Sequence, residues 1–255
     1  MKNRSKILFV ELIVFFLTFC FVFTAPFPGH TAEKDEFTDV DAKTLKSSDD
    51  PDAVADVIFK LSDIYEAQGK DGLKPAIPAL LEGAYVELNL PEDERWNIYD
   101  IIKIISLTGD EKVKPFLLHI MSIMVGGGNP FTAQGFYSIG HSVVKDVADS
   151  LKSSSSDTKG RAALTLHKMF EFDDTGKFFT PEDCETIRKR LVENLVDENP
   201  GTRIYSVVAL RSFGDESIIN PLEQIEKYDA HMDSGGFFGV RMEATETLKH
   251  LRAKK

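Results

Sequence analysis

Residues 171–182 hold the side chains best spaced for binding a hard cation. Glu171, Asp173, Thr175 and Glu182 stand at the first, third, fifth and twelfth places of this stretch, with Gly176 at the sixth and Phe178 at the eighth. Oxygen donors at that spacing, around a glycine that allows a sharp turn, can surround calcium. The pattern departs from an ideal ligand set in three ways: Glu at the first place, a neutral Thr at the fifth, and Pro181 just before Glu182. The competing reading is an acidic turn joining two helices, and the departures favour it. Other chemistry finds less support. The histidines are scattered and show no HExxH spacing, so zinc is not indicated. No GxSxG motif supplies a serine nucleophile. His141 and His167 fall in helical segments, where packing or surface roles are the simpler expectation. The run from Gly126 through Gly127, Gly128 and Asn129 to Pro130 lacks the Gly-Lys-Ser/Thr ending of a phosphate loop and follows a helix, so it reads as a loop. Beside it, Phe131, Phe136 and Tyr137 are either exposed contact residues or pack onto the next helix. No cofactor is implied.

Charge and targeting narrow the function class. The chain of 255 residues has a formal charge of −11 and is 42% hydrophobic, which is ordinary for a folded protein. Lys2, Arg4 and Lys6 face Glu11 within residues 1–32, so the remainder is more acidic than the whole. Such a body repels phosphate backbones and anionic lipid, which argues against nucleic acid. Residues 1–32 read as a signal peptide: a basic start, an apolar run over residues 12–25 too short for a comfortable span, then a helix-breaking stretch ending at Ala32. Cleavage after Ala32 is preferred to Ala25, which Pro26 follows. An uncleaved membrane anchor over residues 7–25 is the rival, and a lipoprotein signal at Cys20 is disfavoured by the bulk of Phe19. The expected location is therefore periplasmic or extracellular, with the membrane involved only through this segment. Of the two cysteines, Cys20 leaves with the signal, so Cys184 has no partner and the core alone must hold the fold.

The elements behind these residues are helices. Residues 33–50 are polar and acidic without apolar period and read as a flexible lead-in. From Pro51 onward apolar residues recur at three and four, with short breakers at 69–72, 89–92, 109–110, 126–130, 153–157, 173–176, 199–201, 214–215 and 234–239. This predicts about ten helices. The serine run at 153–155 is a loop within the array, because similar helices continue beyond it.

The segments also resemble one another. Residues 197–225, DENPGTRIYSVVALRSFGDESIINPLEQI, carry Asp197, Pro200, Arg203, Ala209, Leu210, Phe213, Gly214, Asp215, Pro221 and Leu222 in the order of one HEAT repeat, and the chain resembles the HEAT family. Residues 240–251 repeat the first helix through Arg241, Ala244 and Leu248; residues 157–169 do so with Lys159 in place of the arginine. The second helix recurs at 73–81, 110–118 and 215–223, each with a proline near its start, where a missing N–H costs little. Asp197 or Asn199 can cap the helix that follows. One helix pair cannot bury its apolar stripe alone, so successive pairs must stack. The expected fold is all-α: a right-handed α-solenoid of stacked antiparallel helix pairs, a HEAT-like superhelix over residues 51–255, with the pairing least defined at 126–151. The resemblance implies that Arg203 and Arg241 are structural, linking to acidic residues of neighbouring repeats.

Function follows from architecture more than from any site. The expectation is a non-catalytic exported scaffold that binds a protein or other macromolecule with a basic face. Two alternatives remain. One is a calcium-binding helical protein, since residues 171–182 loosely resemble an EF-hand loop. The other is an enzyme resembling the bilin lyases, which contain similar repeats but for which this chain shows no catalytic cysteine or histidine pair. Residues 240–251 look like the first half of a repeat, and Lys249, Arg252, Lys254 and Lys255 favour a capping role there over dimerisation.

Overall fold

The computed structural model describes residues 36–46, 50–124, 130–233, 235–236 and 238–253. The export segment, residues 126–129 of the glycine run, and Lys254 and Lys255 lie outside the described residues. The fold is all-α: among the described residues every regular element is a helix or a 3-10 turn.

The lead-in differs from the sequence expectation of a flexible stretch. Residues Asp39–Leu45 form a helix, α1. Thr38 and Asp41 close a capping box at its start: the Asp41 N–H donates to Thr38 Oγ1 at 3.2 Å and the Thr38 N–H donates to Asp41 Oδ2 at 2.8 Å. Leu45 is buried and Phe37 packs against the core. Lys60 then clamps Asp41 at 2.8 Å. The compact unit accordingly begins at Glu36 rather than Pro51.

The helices that follow are α2 (Pro51–Gln68), α3 (Ile77–Asn89), α4 (Ile98–Thr108), α5 (Lys114–Ile123), α6 (Pro130–Ile139), α7 (Val144–Ser150), α8 (Ser156–Phe172), α9 (Pro181–Glu193), α10 (Pro200–Phe213), α11 (Ile219–Tyr228) and α12 (Gly239–Ala253). Their starts are set by short polar caps. Asp50 accepts from the Ala53 N–H at 3.1 Å, Ser155 from Thr158 at 3.3 Å, and Asn199 from Gly201 at 2.8 Å. Asn199, not Asp197, is thus the cap of α10. A 3-10 turn precedes α3, α5, α7 and α11 at Lys74–Ala76, Glu111–Val113, His141–Val143 and Glu216–Ile218.

Packing follows the order of the chain, with α5 also reaching α8. The first helices form a row in which α2 touches α4, α4 touches α6, α6 touches α8, α8 touches α10 and α10 touches α12. The helices between them, here called second helices, each pack on the first helix that follows: α3 on α4, α5 on α6, α7 on α8, α9 on α10 and α11 on α12. The 126–151 region thereby contributes α6 and α7 in their places. One buried apolar cluster runs from Leu45 to Leu251 without a break at the serine loop. Removing that apolar surface from water at about 25 cal/mol per Å² is what stabilises the stack, since the described cysteine, Cys184, is free.

Side chains also tie the second helices together. Tyr85 of α3 meets Phe116 of α5 edge-on at 5.4 Å. Lys114 of α5 pairs with Asp146 of α7 at 3.0 Å, and Arg190 of α9 with Asp149 of α7 at 3.0 Å. Arg188 of α9 pairs with Asp215 at 2.5 Å, and Arg252 of α12 with Glu223 of α11 at 2.6 Å.

Candidate functional site

Lys159, Asp197, Pro200, Arg203 and Arg241, singled out by the sequence, lie where one helix pair leads into the next. Lys159, the fourth residue of α8, pairs with Asp197 at 2.8 Å. Arg203, the fourth residue of α10, grips Asp229 with two bonds, Nε to Oδ2 at 2.6 Å and Nη2 to Oδ1 at 3.1 Å. Its remaining nitrogen, Nη1, donates to the Asp197 carbonyl at 2.8 Å and the Glu198 carbonyl at 3.1 Å. The forked guanidinium suits this double task, which an ammonium could not perform. Side-chain exposure is 5% at Asp197 and 4% at Asp229, so both carboxylates rely on these partners. Burial works against ionisation of each, but hydrogen bonds outweigh it, from Lys159 and Ser156 at Asp197 and from Arg203 and His231 at Asp229, and both pKa values lie below the usual carboxylate value. Lys159, Asp197, Arg203 and Asp229 thus make a ladder across three successive repeats. Neighbouring rungs use Asn194, whose amide donates to the Leu151 carbonyl at 3.1 Å, and Thr202, whose hydroxyl donates to the Ser156 carbonyl at 2.6 Å.

The other repeat residues have equally local roles. Arg241 donates to the Glu226 carbonyl at 2.7 Å and lies 4.9 Å over the Phe238 ring, and among the described residues it forms no ion pair with a carboxylate. Pro200 opens α10, and Pro221 lies in the first turn of α11. Gly214 ends α10 with its N–H on the Leu210 carbonyl at 2.8 Å, and a Cβ there would collide with that carbonyl and with Ile218. Asp215 caps the following turn by accepting from the Ser217 N–H at 2.9 Å.

The stretch 171–182 is a turn held by its own chain. Glu171 lies on the last turn of α8, bound to Lys168 at 2.6 Å and near His167 at 3.3 Å. Asp173 accepts from Thr175 Oγ1 at 2.7 Å, from the Phe178 N–H at 2.8 Å and from the Lys177 N–H at 3.3 Å. Burial opposes the charge on Asp173, and the bonds from Thr175, Phe178 and Lys177 more than offset it, lowering its pKa. Glu182 is exposed on the first turn of α9, where the capping partner of Thr180 is Asp183. The structure brings Thr175 onto Asp173, and among the described residues no group of three or more His, Cys, Asp or Glu side chains is placed to hold a metal ion. Phe178 and Phe179 explain the turn. Phe178 lies tilted against Tyr137 at 4.7 Å and Phe179 meets Phe213 at 5.1 Å, pinning the loop to α6 and α10.

Phe136 is fully buried, Phe131 packs against the core, and Tyr137 is half-buried against Phe172 and Phe178, so this trio packs inward rather than forming a contact surface. His141 is bound to Asp183 at 2.7 Å and His167 to Ser212 at 2.8 Å. Burial lowers the pKa of His167 and raises that of the half-buried Cys184 thiol.

What sequence reasoning missed lies in the first half of the stack. Between α3 and α4 and the end of α5, a cleft of about 320 Å³ is lined by Leu88, Glu92, Arg95, Ile98, Tyr99, Ile123 and Met124. Trp96, next in the chain to Arg95, is 71% exposed, Tyr99 is 54% exposed and Ile123 is 42% exposed. Arg95 closes the loop by donating from Nε to the Leu90 carbonyl at 2.8 Å. Glu92, Asp93, Glu94 and Asp100 are exposed and have no ion-pair partner among the described residues. A single tryptophan in the run PEDERWN was the available signal.

No protein-family model and no curated protein matches the chain. Among solved structures it is similar to a crystal structure of an engineered protein, at 17% identity over 85% of this chain and 98% of that one, with a TM-score of 0.42.

Proposed function

We propose that this chain is a HEAT-like α-solenoid that acts outside the cytoplasm as a scaffold, binding another macromolecule without transforming it. The observation that carries the reading is the row of first helices, each touching the next, stapled by the ladder Lys159–Asp197 and Arg203–Asp229. Helices packed in succession along a chain build long surfaces, which suit large or extended partners better than small molecules. The acidic surface selects a partner with a basic face and speeds the encounter in a salt-sensitive way. The reactive side chains favour binding over chemistry. Cys184 is held toward its thiol form by burial, and His141 and His167 are tied to Asp183 and Ser212. Export rests on residues 1–32 alone; among the described residues no helix is long and apolar enough to cross a membrane.

The test is affinity capture at low salt from the exported fraction of the native host, with mass spectrometric identification. A reproducible protein or polysaccharide partner, released by raised salt, is the expected result. Turnover of a small substrate by purified protein that captures nothing would reverse the assignment. Intact Met1 on protein recovered from a soluble cytoplasmic fraction would remove the export reading and leave the scaffold reading standing.

A further inference from the structure

The stapled edge changes character in the first half of the stack. Lys159 and Arg203 each occupy the fourth place of their helix, and each reaches a buried aspartate. The same place is Ile101 in α4 and Ala133 in α6, which carry no charge to offer. Here the link is neutral, the Asn97 amide donating to the Pro51 carbonyl at 3.2 Å, and beside it lies the cleft between Leu88, Ile98, Tyr99, Ile123 and Met124. Its walls combine these apolar side chains with the polar groups of Glu92 and Arg95, and its volume of about 320 Å³ lies at the lower end of the range that holds small ligands or a side chain of a partner.

The rim decides what kind of side chain enters. Glu92, Asp93 and Glu94 make a short 3-10 turn with all three residues exposed, and Asp100 stands on the next helical turn. Arg95 is the one cation lining the cleft, and its Nε is spent on the Leu90 carbonyl. The rim is therefore net negative. Trp96 and Tyr99 add exposed aromatic rings, whose faces attract cations. A neutral apolar peptide would leave the rim carboxylates with water, and an acidic one would be repelled by them. Lysine or arginine beside an apolar residue satisfies both the rim and the cleft.

We propose that this cleft is the docking point for a partner segment in which an apolar side chain is flanked by lysines or arginines. The apolar side chain seats among Leu88, Ile98, Tyr99, Ile123 and Met124, and the flanking cations pair with Glu92, Asp93 and Glu94. The proposal deepens the scaffold reading and rests on it, because it names the partner's chemistry and its place of attachment.

Trp96 is the one tryptophan in the chain, so its fluorescence reports on this site alone. The full-length protein is titrated at low salt with a synthetic end-capped peptide of one leucine between pairs of lysines, and with the same peptide carrying glutamates for lysines. The lysine peptide saturates a change in Trp96 emission, while the glutamate peptide does not. Combined Glu92→Gln, Asp93→Asn and Glu94→Gln, all on the surface, weakens binding about tenfold. Tyr99→Ala, also exposed, weakens it about fivefold by removing apolar and ring contact. No emission change up to millimolar lysine peptide, or equal binding by the triple variant, overturns the proposal. The two readings separate when the triple variant is used as capture bait. If it retains the partners of the parent chain, the cleft falls and the scaffold stands. If the parent itself captures nothing, the scaffold reading falls.

Discussion

Replacing Arg203 with methionine tests whether the ladder holds the stack together. The substitution keeps a long apolar stem and removes four hydrogen bonds: two to the Asp229 carboxylate and one each to the Asp197 and Glu198 carbonyls. The carbonyls lie at a partly exposed loop and recover much of their bonding from water. Asp229 does not. Its side chain is 4% exposed, and it keeps only the His231 N–H at 3.0 Å among its described neutral donors. Leaving one member of a buried ion pair without its partner typically costs about 3–5 kcal/mol. An exposed pair would cost about 0–1 kcal/mol. The two outcomes are well separated. Urea unfolding followed by far-UV circular dichroism measures the loss, and Asp229→Asn in the same background should recover much of it, because the buried charge is then gone. Location matters as much as size. In a nearest-neighbour stack the damage stays near the lesion, so amide exchange should rise across α11 and α12 and stay unchanged across α2 to α4. A loss below about 1 kcal/mol would refute the argument that Asp229 depends on Arg203. Exchange rising equally along the chain would refute the nearest-neighbour account.

The ladder aspartates also fix the acid limit. Asp197 and Asp229 have pKa values depressed by folding, so their contribution is complete above the unfolded value and lost as pH falls through the folded one. Circular dichroism across an acid titration should show the C-terminal repeats loosening below about pH 4, and Asp229→Asn should flatten that dependence. Gly214→Ala forces a Cβ into the Leu210 carbonyl and Ile218 and should cost about 1–3 kcal/mol by thermal unfolding; no loss would mean that the α10–α11 turn relaxes freely. Asp173→Ala removes three hydrogen bonds that close the turn before α9 and should cost about 1–2 kcal/mol in calcium-free buffer. A loss appearing only in the presence of calcium would instead make Asp173 a metal ligand.

Most of the architecture was legible because it is local. The 3.6-residue period, the Gly-Asp and proline signals, and the caps lie within one repeat, and each element follows from a short window of sequence. The place of Lys159 was also readable, since it occupies the register of Arg203 and pairs likewise with an aspartate that follows a second helix. Three features were not recovered that way. Helix α1 was hidden in a polar stretch because its apolar content is small, although Thr38 followed three residues later by Asp41 is a capping-box signature. The spacing at 171–182 mimicked a cation loop because an acidic turn and an oxygen-ligand loop draw on the same residues. What separates them is where the carboxylates point, and Asp173 points at its own chain. The exposure of Trp96 is a property of packing between helices distant in sequence and leaves no periodic mark.

The uneven ladder has a consequence for how the molecule divides its work. A rung holds two loops of adjacent repeats together by a desolvated ion pair, so it fixes geometry and fills the edge. Lys159 and Arg203 do this between α8 and α12. At Ile101 and Ala133 the helices still pack through buried apolar contacts, so cohesion of the row does not require rungs. What the missing ion pair changes is the edge itself, where apolar side chains of α3, α4 and α5 stay uncovered beside carboxylates that form no ion pair among the described residues. A buried ion pair tends to contribute specificity of arrangement more than net stability. Losing one in a stack with a continuous core therefore costs little in folding and leaves a surface with unmet apolar and electrostatic demand. In this chain that surface coincides with the cleft beside Trp96, so departure from repeat regularity, rather than the repeat itself, marks where binding is to be sought.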